Sequence, residues 1–235
     1  MNSIYKPIDI ARKLNVSTST LRGYEERELV PPAERMEQGY RLYTNIHFAY
    51  FECIVHMSPG FGMETTSSVI KKIQRNDLDS ALWIINEAQM QNYKDINLLN
   101  DVEHNVYDIF HYKTRIEKPE TIRVISEETK VSPSTIRYWD TEGYIQSHRD
   151  EQNNYRMFDS FQFLKILLMK LTQSMVYSED VVLLKQSIKD LQAQDIERVK
   201  TILDQCRKQF NKRNERQLRA LFYLQKLCDE IMINH

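Results

Sequence analysis

A short segment of this chain recurs in its second half, and this internal repeat constrains the fold more than any other feature. Residues Val16–Glu25 read VSTSTLRGYE and residues Val131–Asp140 read VSPSTIRYWD, an offset of 115 residues (137 − 22). The same offset carries Tyr40–Tyr43 onto Tyr155–Phe158 without a gap. Register kept over so many positions indicates a tandem duplication of about half of the 235 residues, so the function of one unit is present twice.

The composition favours helices over sheets. The chain holds 5 glycines and 6 prolines, with 41% hydrophobic and 28% charged residues, which is typical of long helices. The formal net charge is −1, whereas a protein that coats nucleic acid without sequence preference is usually strongly basic. Any binding to DNA must therefore depend on the placement of a few cations.

Each unit begins with the pattern of two short helices. Ile8 and Ala11 share one face of the first helix, and Ser17 and Ser132 have the position and chemistry of N-caps for the second. Pro133 follows Ser132 at the first helical position, where its missing N–H is not needed. Two short helices joined by a tight turn form a helix-turn-helix. Its second helix is predicted over residues 18–27 in the first unit and 133–142 in the second.

A hairpin is predicted after each helix pair. In the first unit the turn falls at Gln38-Gly39, directly before Tyr40–Tyr43, and in the second it falls at Asn153-Asn154. Glycine and asparagine are the residues that most readily adopt a positive φ. A hairpin attached to a helix-turn-helix makes a wing.

Each unit returns to helix after its wing. In the first unit, Gly60–Gly62 is predicted to break this helical region. A long amphipathic helix then ends each unit, with apolar residues near a seven-residue spacing, as required for helix–helix pairing. Polar breaks are predicted at residues 89–92 and 212–217. The predicted seams are Leu78, Leu82, Ile85, Ile96, Leu99, Val106 and Phe110 in the first helix, and Ile196, Val199, Leu203, Cys206, Phe210, Leu218, Leu221, Leu224 and Cys228 in the second.

These motifs resemble the winged helix-turn-helix of the MerR family of bacterial transcription regulators. The family pattern is roughly V-S-x-x-T-[IL]-R-x-Y-E followed by G-Y-R-x-Y, and both repeats carry most of it in order. The resemblance implies binding of double-stranded DNA by each head, contact with RNA polymerase, and dimerisation through the long helix. Two departures predict that one head binds weakly or not at all: Glu28 stands at the helix-closing glycine position, and Asp150 replaces the wing arginine that Arg35 supplies in the first unit.

The resemblance and the residue chemistry together predict a DNA-contact set. Arginines early in a recognition helix reach base edges or phosphates, and hydroxyls near a helix N-terminus suit phosphate oxygens. Two alternatives stay open: the serines only cap their helices, and the arginines pair with Glu25 or Glu26. The predicted contacts are Ser17, Thr18, Ser19, Thr20, Arg22, Tyr24, Arg35, Tyr40, Arg41 and Tyr43 in the first head, and Ser132, Ser134, Thr135, Arg137, Tyr138, Tyr155 and Arg156 in the second.

No metal or cofactor site is predicted. Cys206 and Cys228 are far apart in sequence and lie on the expected apolar seam, so we interpret them as core residues in a reducing compartment. His104 and His111 are two helical turns apart and would not hold one metal ion together. The aromatic and methionine residues of the long helices are interpreted as core, with a ligand pocket as the alternative: Trp83, Met90, Tyr93, Phe222 and Tyr223.

The predicted fold is mainly α: two winged helix-turn-helix heads, each followed by a long helix, with the long helices pairing as an antiparallel coiled coil. We expect heads at residues 1–75 and 119–190 and pairing helices at residues 76–118 and 191–235. Because the linker at residues 116–120 is short, the chain is predicted to form a covalent pseudo-dimer with its recognition helices about 34 Å apart. A homodimer with four heads is the alternative arrangement.

The leading functional prediction is a sequence-specific transcription regulator that reads an asymmetric operator. The alternatives are an architectural or recombination-directionality DNA-binding protein, and a protein-interaction module with one inactive head. An enzyme is disfavoured because the sequence shows no glycine-rich phosphate loop, metal-ligand cluster or nucleophile motif. With no signal peptide and no apolar run near the roughly 20 residues of a membrane span, we expect a cytoplasmic, nucleoid-associated protein. The chain is also expected to end without an added effector domain.

Overall fold

The computed structural model describes residues 4–36, 39–112, 118–193 and 195–233, with the backbone alone described for residues 107–112. The chain forms two compact units, one of residues 1–92 and 212–235 and the other of residues 93–211. Each unit therefore joins the head of one repeat to the far end of the other repeat's long helix. Some predicted features lie outside the described residues. These are the first two residues of the predicted linker (116 and 117), the turn residue Gln38, and the side chains of Phe110 and His111.

The first head is a helix-turn-helix followed by a small hairpin, as predicted. Helix α1 spans Pro7–Leu14 and helix α2 spans Thr18–Glu26. Strand β1 (Glu34–Arg35) then pairs antiparallel with β2 (Arg41–Leu42). Ile10 of α1 and Leu21 of α2 are fully buried in a common core with Leu29 and Tyr43, which lie next to these elements, whereas both residues of β1 are exposed.

The second head repeats this order with one extra pairing. Strand β3 (Glu120–Thr121) leads into α5 (Ile122–Thr129) and α6 (Pro133–Thr141). The wing strands are β4 (His148–Arg149) and β5 (Arg156–Phe158), and the sheet order is β3-β5-β4 with all pairs antiparallel. The predicted recognition helices thus agree with the structure to within one residue at their C-terminal ends.

Helix α3 (Asn45–Gln74) connects the first head to its long helix. Its predicted break is confirmed at Gly62, whose φ of 77° and ψ of 162° are non-helical. In the second repeat the corresponding region forms two separate helices, α7 (Ser160–Leu171) and α8 (Glu179–Lys189). The helical region after the wing is therefore interrupted in both repeats, by a kink in the first and by a loop in the second.

The long helices are α4 (Leu78–Tyr112) and α9 (Ile196–Ile233). In the first unit, the beginning of α4 packs with the end of α9: Ala81 and Ile85 share a core with Leu224 and Leu227. In the second unit, the later part of α4 packs with the beginning of α9. There the guanidinium of Arg207 binds the carboxylate of Glu103 and donates a hydrogen bond to the amide oxygen of Asn100 at 3.0 Å. The predicted pairing of the long helices is confirmed within each unit.

The predicted polar interruptions of the apolar pattern are present, but the helices keep packing through them. Inward-facing positions follow regular steps of four and three residues, all buried except the partly buried Ala88, and polar side chains occupy some of them. In the first unit the Nε of Arg213 donates to the amide oxygen of Asn92 at 2.7 Å, and the amide of Gln217 donates to the carbonyl of Gly60 at 3.1 Å. The seam positions are 81, 85, 88, 92, 95, 99, 102 and 106 in α4, and 199, 203, 206, 210, 213, 217, 220, 224 and 227 in α9.

Several residues predicted for the core are on the surface. Leu78, Leu82, Trp83, Met90, Tyr93, Leu218 and Phe222 are exposed. They fall between the true seam positions, on other sides of their helices, because an apolar side chain contributes to a seam only where the helical repeat points it inward. Cys206 is buried on the seam as predicted, whereas Cys228 lies beside it and is half-buried. None of the helices in the described ranges is long and apolar enough to cross a membrane.

Candidate nucleic-acid interface

A cluster of hydroxyl groups lies at the N-terminus of each recognition helix. In the first head the Oγ of Ser17 accepts from the backbone N–H of Thr20 at 3.0 Å and lies 2.7 Å from the Oγ of Ser19. In the second head the Oγ of Ser132 accepts from the N–H of Thr135 at 3.2 Å and lies 2.8 Å from the Oγ of Ser134. The capping role considered for the serines is therefore present in both heads, and the exposed hydroxyls remain at a helix end with partial positive charge.

Arg22 and Arg137 project from equivalent positions of the two recognition helices. Both side chains are exposed. Thr18 lies one turn before Arg22 on the same helix, and it is partly exposed as well. Each arginine is the fifth of the nine residues of its helix, and an exposed cation in the middle of so short a helix has the reach needed for a guanine edge or a phosphate oxygen.

The wing arginines are paired with acidic residues of the recognition helices. The Nε of Arg41 lies 2.7 Å from a carboxylate oxygen of Glu25, and the Nε of Arg156 lies 3.0 Å from a carboxylate oxygen of Asp140. The two pairs are related by the same 115-residue offset as the repeat, so both repeats contain the same contact between wing and recognition helix. The alternative pairing considered from the sequence is therefore present for Arg41, with Glu25 as its partner.

Asp140 is the more fully engaged of the two acids. It accepts hydrogen bonds from the backbone N–H and the hydroxyl of Ser147, at 2.8 and 2.7 Å, in addition to the bond from Arg156. Burial alone would raise the pKa of the Asp140 carboxyl, but these donors and the nearby Arg156 charge hold the pKa below its usual value. One carboxylate thus connects the recognition helix to both strands of the wing region.

Tyr43 is wrongly assigned to the DNA-contact set. Its side chain is 0% exposed, and its ring meets Phe51 edge-on at 5.1 Å between centroids. Phe158, the equivalent residue of the second head, is also fully buried. The motif position therefore holds an aromatic residue for packing. Tyr24 is half-buried against Phe51, and desolvation raises the pKa of its hydroxyl.

The wings present different groups at their tips. Arg35, Tyr40 and Tyr155 are exposed. Asp150 replaces the wing arginine of the first head for a local reason, since its carboxylate accepts the backbone N–H groups of Gln152 and Asn153 at 3.1 Å and holds the turn.

Arg149 is a wing cation that the sequence reasoning missed. It is exposed and donates to the carbonyl of Asn154 at 2.8 Å, one residue before the position where Asp150 replaces the expected arginine. The sequence does contain a signal for it, because Arg149 directly precedes Asp150 and the two hairpins have the same length. The second wing therefore keeps a positive charge that has moved by one residue.

The ends of the two recognition helices differ in strain. Glu28 has a φ of 57°, and Gly143 at the equivalent position has a φ of 73°, so the first head places a non-glycine residue in the left-handed region. In the second head, the Nζ of Lys189 donates to the carbonyl of Glu142 at 2.8 Å. The C-terminus of α6 is thus satisfied by a lysine as well as by glycine.

A groove opens in the first head between the start of α1, the recognition helix and the wing. Its volume is about 380 Å³. Three cations line it together with exposed apolar side chains, so it combines charge with hydrophobic surface. The principal lining residues are Lys6, Ile8, Arg22, Met36, Tyr40 and Arg41.

The described residues show no arrangement of three or more histidine, cysteine or acidic side chains that could hold a metal ion. Burial raises the pKa of the Cys206 thiol to about 12, and it also raises the pKa of Cys53. Both thiols are therefore protonated near neutral pH, which is the unreactive form.

Comparison with known proteins agrees with this geometry. The family model for the MerR family regulatory protein matches residues 6–43 and 121–158, which are the two heads. The chain is 46% identical over 39 residues to the HTH-type transcriptional regulator CueR of Salmonella typhi, an alignment covering 17% of this chain and 28% of that protein. It is 27% identical over 106 residues to the mercuric resistance operon regulatory protein of Bacillus cereus, covering 43% of this chain and 71% of that protein.

The CueR regulator of Salmonella typhimurium (strain LT2) gives the same identity over the same length as its Salmonella typhi counterpart. The chain spans about 28% of the length of these CueR regulators. No solved structure matches the chain.

Proposed function

Because the chain carries two MerR-family domains in tandem, we propose that it is a sequence-specific transcription regulator that reads an asymmetric stretch of double-stranded DNA with two non-identical heads. The observation that carries this proposal is the repeated pair of exposed arginines, Arg22 and Arg137, each following a cluster of hydroxyls at the start of a recognition helix. A cation and a helix N-terminus in this order suit a base edge and its neighbouring phosphate.

The asymmetry rests on surface positions that differ between the repeats. Tyr138 is 57% exposed where the first head has Gly23. The exposed residue Arg27 is replaced by Glu142, which reverses the charge at the end of the helix. Since base edges are read by particular side chains, two heads with these differences would prefer different half-sites.

The relatives are named as transcriptional and operon regulators, which supports control of a promoter over an architectural role in DNA packaging. RNA polymerase would then be a partner at that promoter. An architectural protein would occupy many dispersed sites, whereas a regulator occupies few. A map of bound chromosomal sites separates the two roles by the number and position of those sites.

The direct test is to substitute the recognition arginines. Selection from random DNA would first supply the bound sequence, and Arg22→Ala and Arg137→Ala are then measured on it. Each substitution should weaken specific binding by about 1–3 kcal/mol, a factor of roughly 5 to 150, and relax the preference in one half-site. Lys71→Ala is the matched control because it removes one exposed positive charge from α3, outside the recognition helices.

Unchanged binding by the Arg22→Ala, Arg137→Ala double variant would contradict the proposal. It would instead favour a protein-interaction module whose heads no longer read DNA. A perfectly palindromic selected sequence would retain DNA binding but overturn the proposed asymmetry.

A further inference from the structure

The groove of the first head has the size of a small-molecule site. Its volume of about 380 Å³ falls within the range of roughly 300–1,000 Å³ that is usual for ligand pockets. Lys6, at the N-cap of α1, and Arg22 of α2 supply positive charge, and Arg41, whose charge is paired with Glu25, lines the groove from β2. The groove is therefore built to attract an anion.

The rest of the lining is apolar surface that a phosphate group alone would leave uncovered. Ile8 is 45% and Met36 is 42% exposed, and Tyr40 next to them is exposed as well. A phosphodiester would satisfy the cations, but its charged oxygens offer these aliphatic groups no favourable burial. An occupant with an apolar body would cover them and gain about 25 cal/mol for each Å² removed from water.

The second repeat serves as an internal comparison. It keeps Arg137 and Arg156 at the positions of Arg22 and Arg41, as expected if both heads share a role in DNA binding. At the positions of Ile8 and Met36, however, it has Arg123 and Glu151. Tyr40 has a counterpart in Tyr155, whereas Ile8 and Met36, like the cation Lys6 (Thr121 in the second head), belong to the first head alone and so do not follow from the shared role.

We propose that this groove binds a small organic anion with a flat apolar body, such as an aromatic phosphate or carboxylate, and that the bound anion competes with DNA for the first head. The anionic group would sit against the cations, and the apolar body would lie between Ile8, Met36 and Tyr40. The competition rests on the proposed function, because Arg22 would serve both the anion and DNA. The binding of the anion does not depend on it.

Titration of the full chain without DNA tests the groove. The probes are phenyl phosphate and inorganic phosphate at constant ionic strength, followed by calorimetry and by the signals of methionines labelled with ¹³C at the methyl group. Phenyl phosphate should bind at least tenfold more tightly than inorganic phosphate and shift the Met36 signal, which Met36→Leu assigns. Equal affinity for the two probes, or an unmoved Met36 signal, would overturn the proposal.

The matched variants exchange residues between the repeats. The double variant I8R, M36E places the side chains of the second head at these two positions of the first groove without changing the net charge. The control R123I, E151M makes the reverse exchange in the second head. Phenyl phosphate affinity should fall at least tenfold in the first variant and by less than twofold in the control; equal affinities in wild type and I8R, M36E would overturn the assignment.

A second titration adds the selected DNA. Phenyl phosphate at ten times its dissociation constant should weaken DNA binding by wild type about tenfold through competition, and by no more than about twofold in I8R, M36E. An unchanged DNA affinity in wild type would overturn the competition. If the ligand-free chain binds no DNA, the proposed function fails, while the titration without DNA still decides whether the groove binds the anion.

Discussion

The contact between Glu25 and Arg41 gives an acidic residue a supporting role on a surface proposed to bind DNA. The carboxylate fixes the Nε edge of the guanidinium at 2.7 Å, which orients the side chain before DNA arrives and lowers the entropic cost of binding. Removal of a negative charge normally strengthens DNA binding. A positioning role predicts the opposite result for this one residue.

We expect Glu25→Gln to weaken DNA binding roughly fivefold, or about 1 kcal/mol, as measured by fluorescence anisotropy across a series of salt concentrations. Glu26→Gln is the matched control, since it removes the same charge from the exposed neighbouring position and should leave binding equal or stronger. Equal gains in affinity for both variants would show that Glu25 acts only through its charge.

Glu28 and Gly143 make a second matched pair at the level of single residues. Because Glu28 adopts a φ of 57°, Glu28→Gly should stabilise the chain by up to about 1 kcal/mol. Gly143→Glu should destabilise it by about 1–2 kcal/mol through its φ of 73° alone, because the added Cβ would make only an ordinary contact with Lys189 at 3.5 Å. The midpoints of urea denaturation, compared at an unchanged slope, measure both effects; equal midpoints would contradict the assignment of strain.

At the scale of elements, the close packing of α3 on α9 in the first unit depends on Gly60. A Cβ at this position would lie 2.8 Å from the backbone nitrogen of Gln217 and 2.9 Å from the carbonyl carbon of Arg216. Both are main-chain atoms, so no rotation of a side chain can make room. The contact also positions the hydrogen bond from Gln217 to the Gly60 carbonyl.

Gly60→Ala is therefore expected to destabilise the chain by about 1–3 kcal/mol through overpacking, measured by urea denaturation. Gly23→Ala is the matched control, because a Cβ at Gly23 meets no atom within 4 Å and alanine favours the helix by up to about 1 kcal/mol. A Gly60→Ala variant as stable as wild type would show that the two helices separate easily at this point.

The elements most accurately predicted from the sequence are those set by local chemistry. The recognition helices begin at the N-caps Ser17 and Ser132, and the break near Gly62 is present, because each depends on a few neighbouring residues. The seam was predicted less well. The sequence pattern indicates interruptions at polar residues such as Asn92 and Arg213, but the two side chains are buried against each other, and such a partner across the helices is not visible in the local sequence.

The same distinction applies to the candidate site. Arg22 and Arg137 are exposed at the expected helical positions because the motif fixes their place on the helix. Tyr43 has a motif position too, yet it is buried, since its direction depends on how the strand lies over Phe51. The choice of Glu25 for Arg41, the acidic partner of Arg156 and the groove of the first head also could not be predicted, because each is formed by elements that are separated in sequence and meet only in the folded chain.

At the scale of the whole molecule, the composition of the two units bears on the oligomeric state. Each unit joins the head of one repeat to the helix end of the other, an exchange that a homodimer would otherwise obtain from a second chain. The seam also carries the buried pair Asn92 and Arg213, and polar residues at seam positions specify a register at some cost in stability. We therefore propose that one chain supplies both halves of a dimer.

A covalent pseudo-dimer makes a quantitative prediction about mass and DNA stoichiometry. Light scattering should give 28.1 kDa for the free chain, and native mass spectrometry should show one chain on each selected DNA. Shortening the DNA to one half-site should leave the stoichiometry at one chain and weaken binding, since only one head is engaged. A free mass near twice that of the chain, or two chains on each operator, would instead establish the four-headed homodimer. In that arrangement each half of a longer, symmetric site would be read by a complete chain.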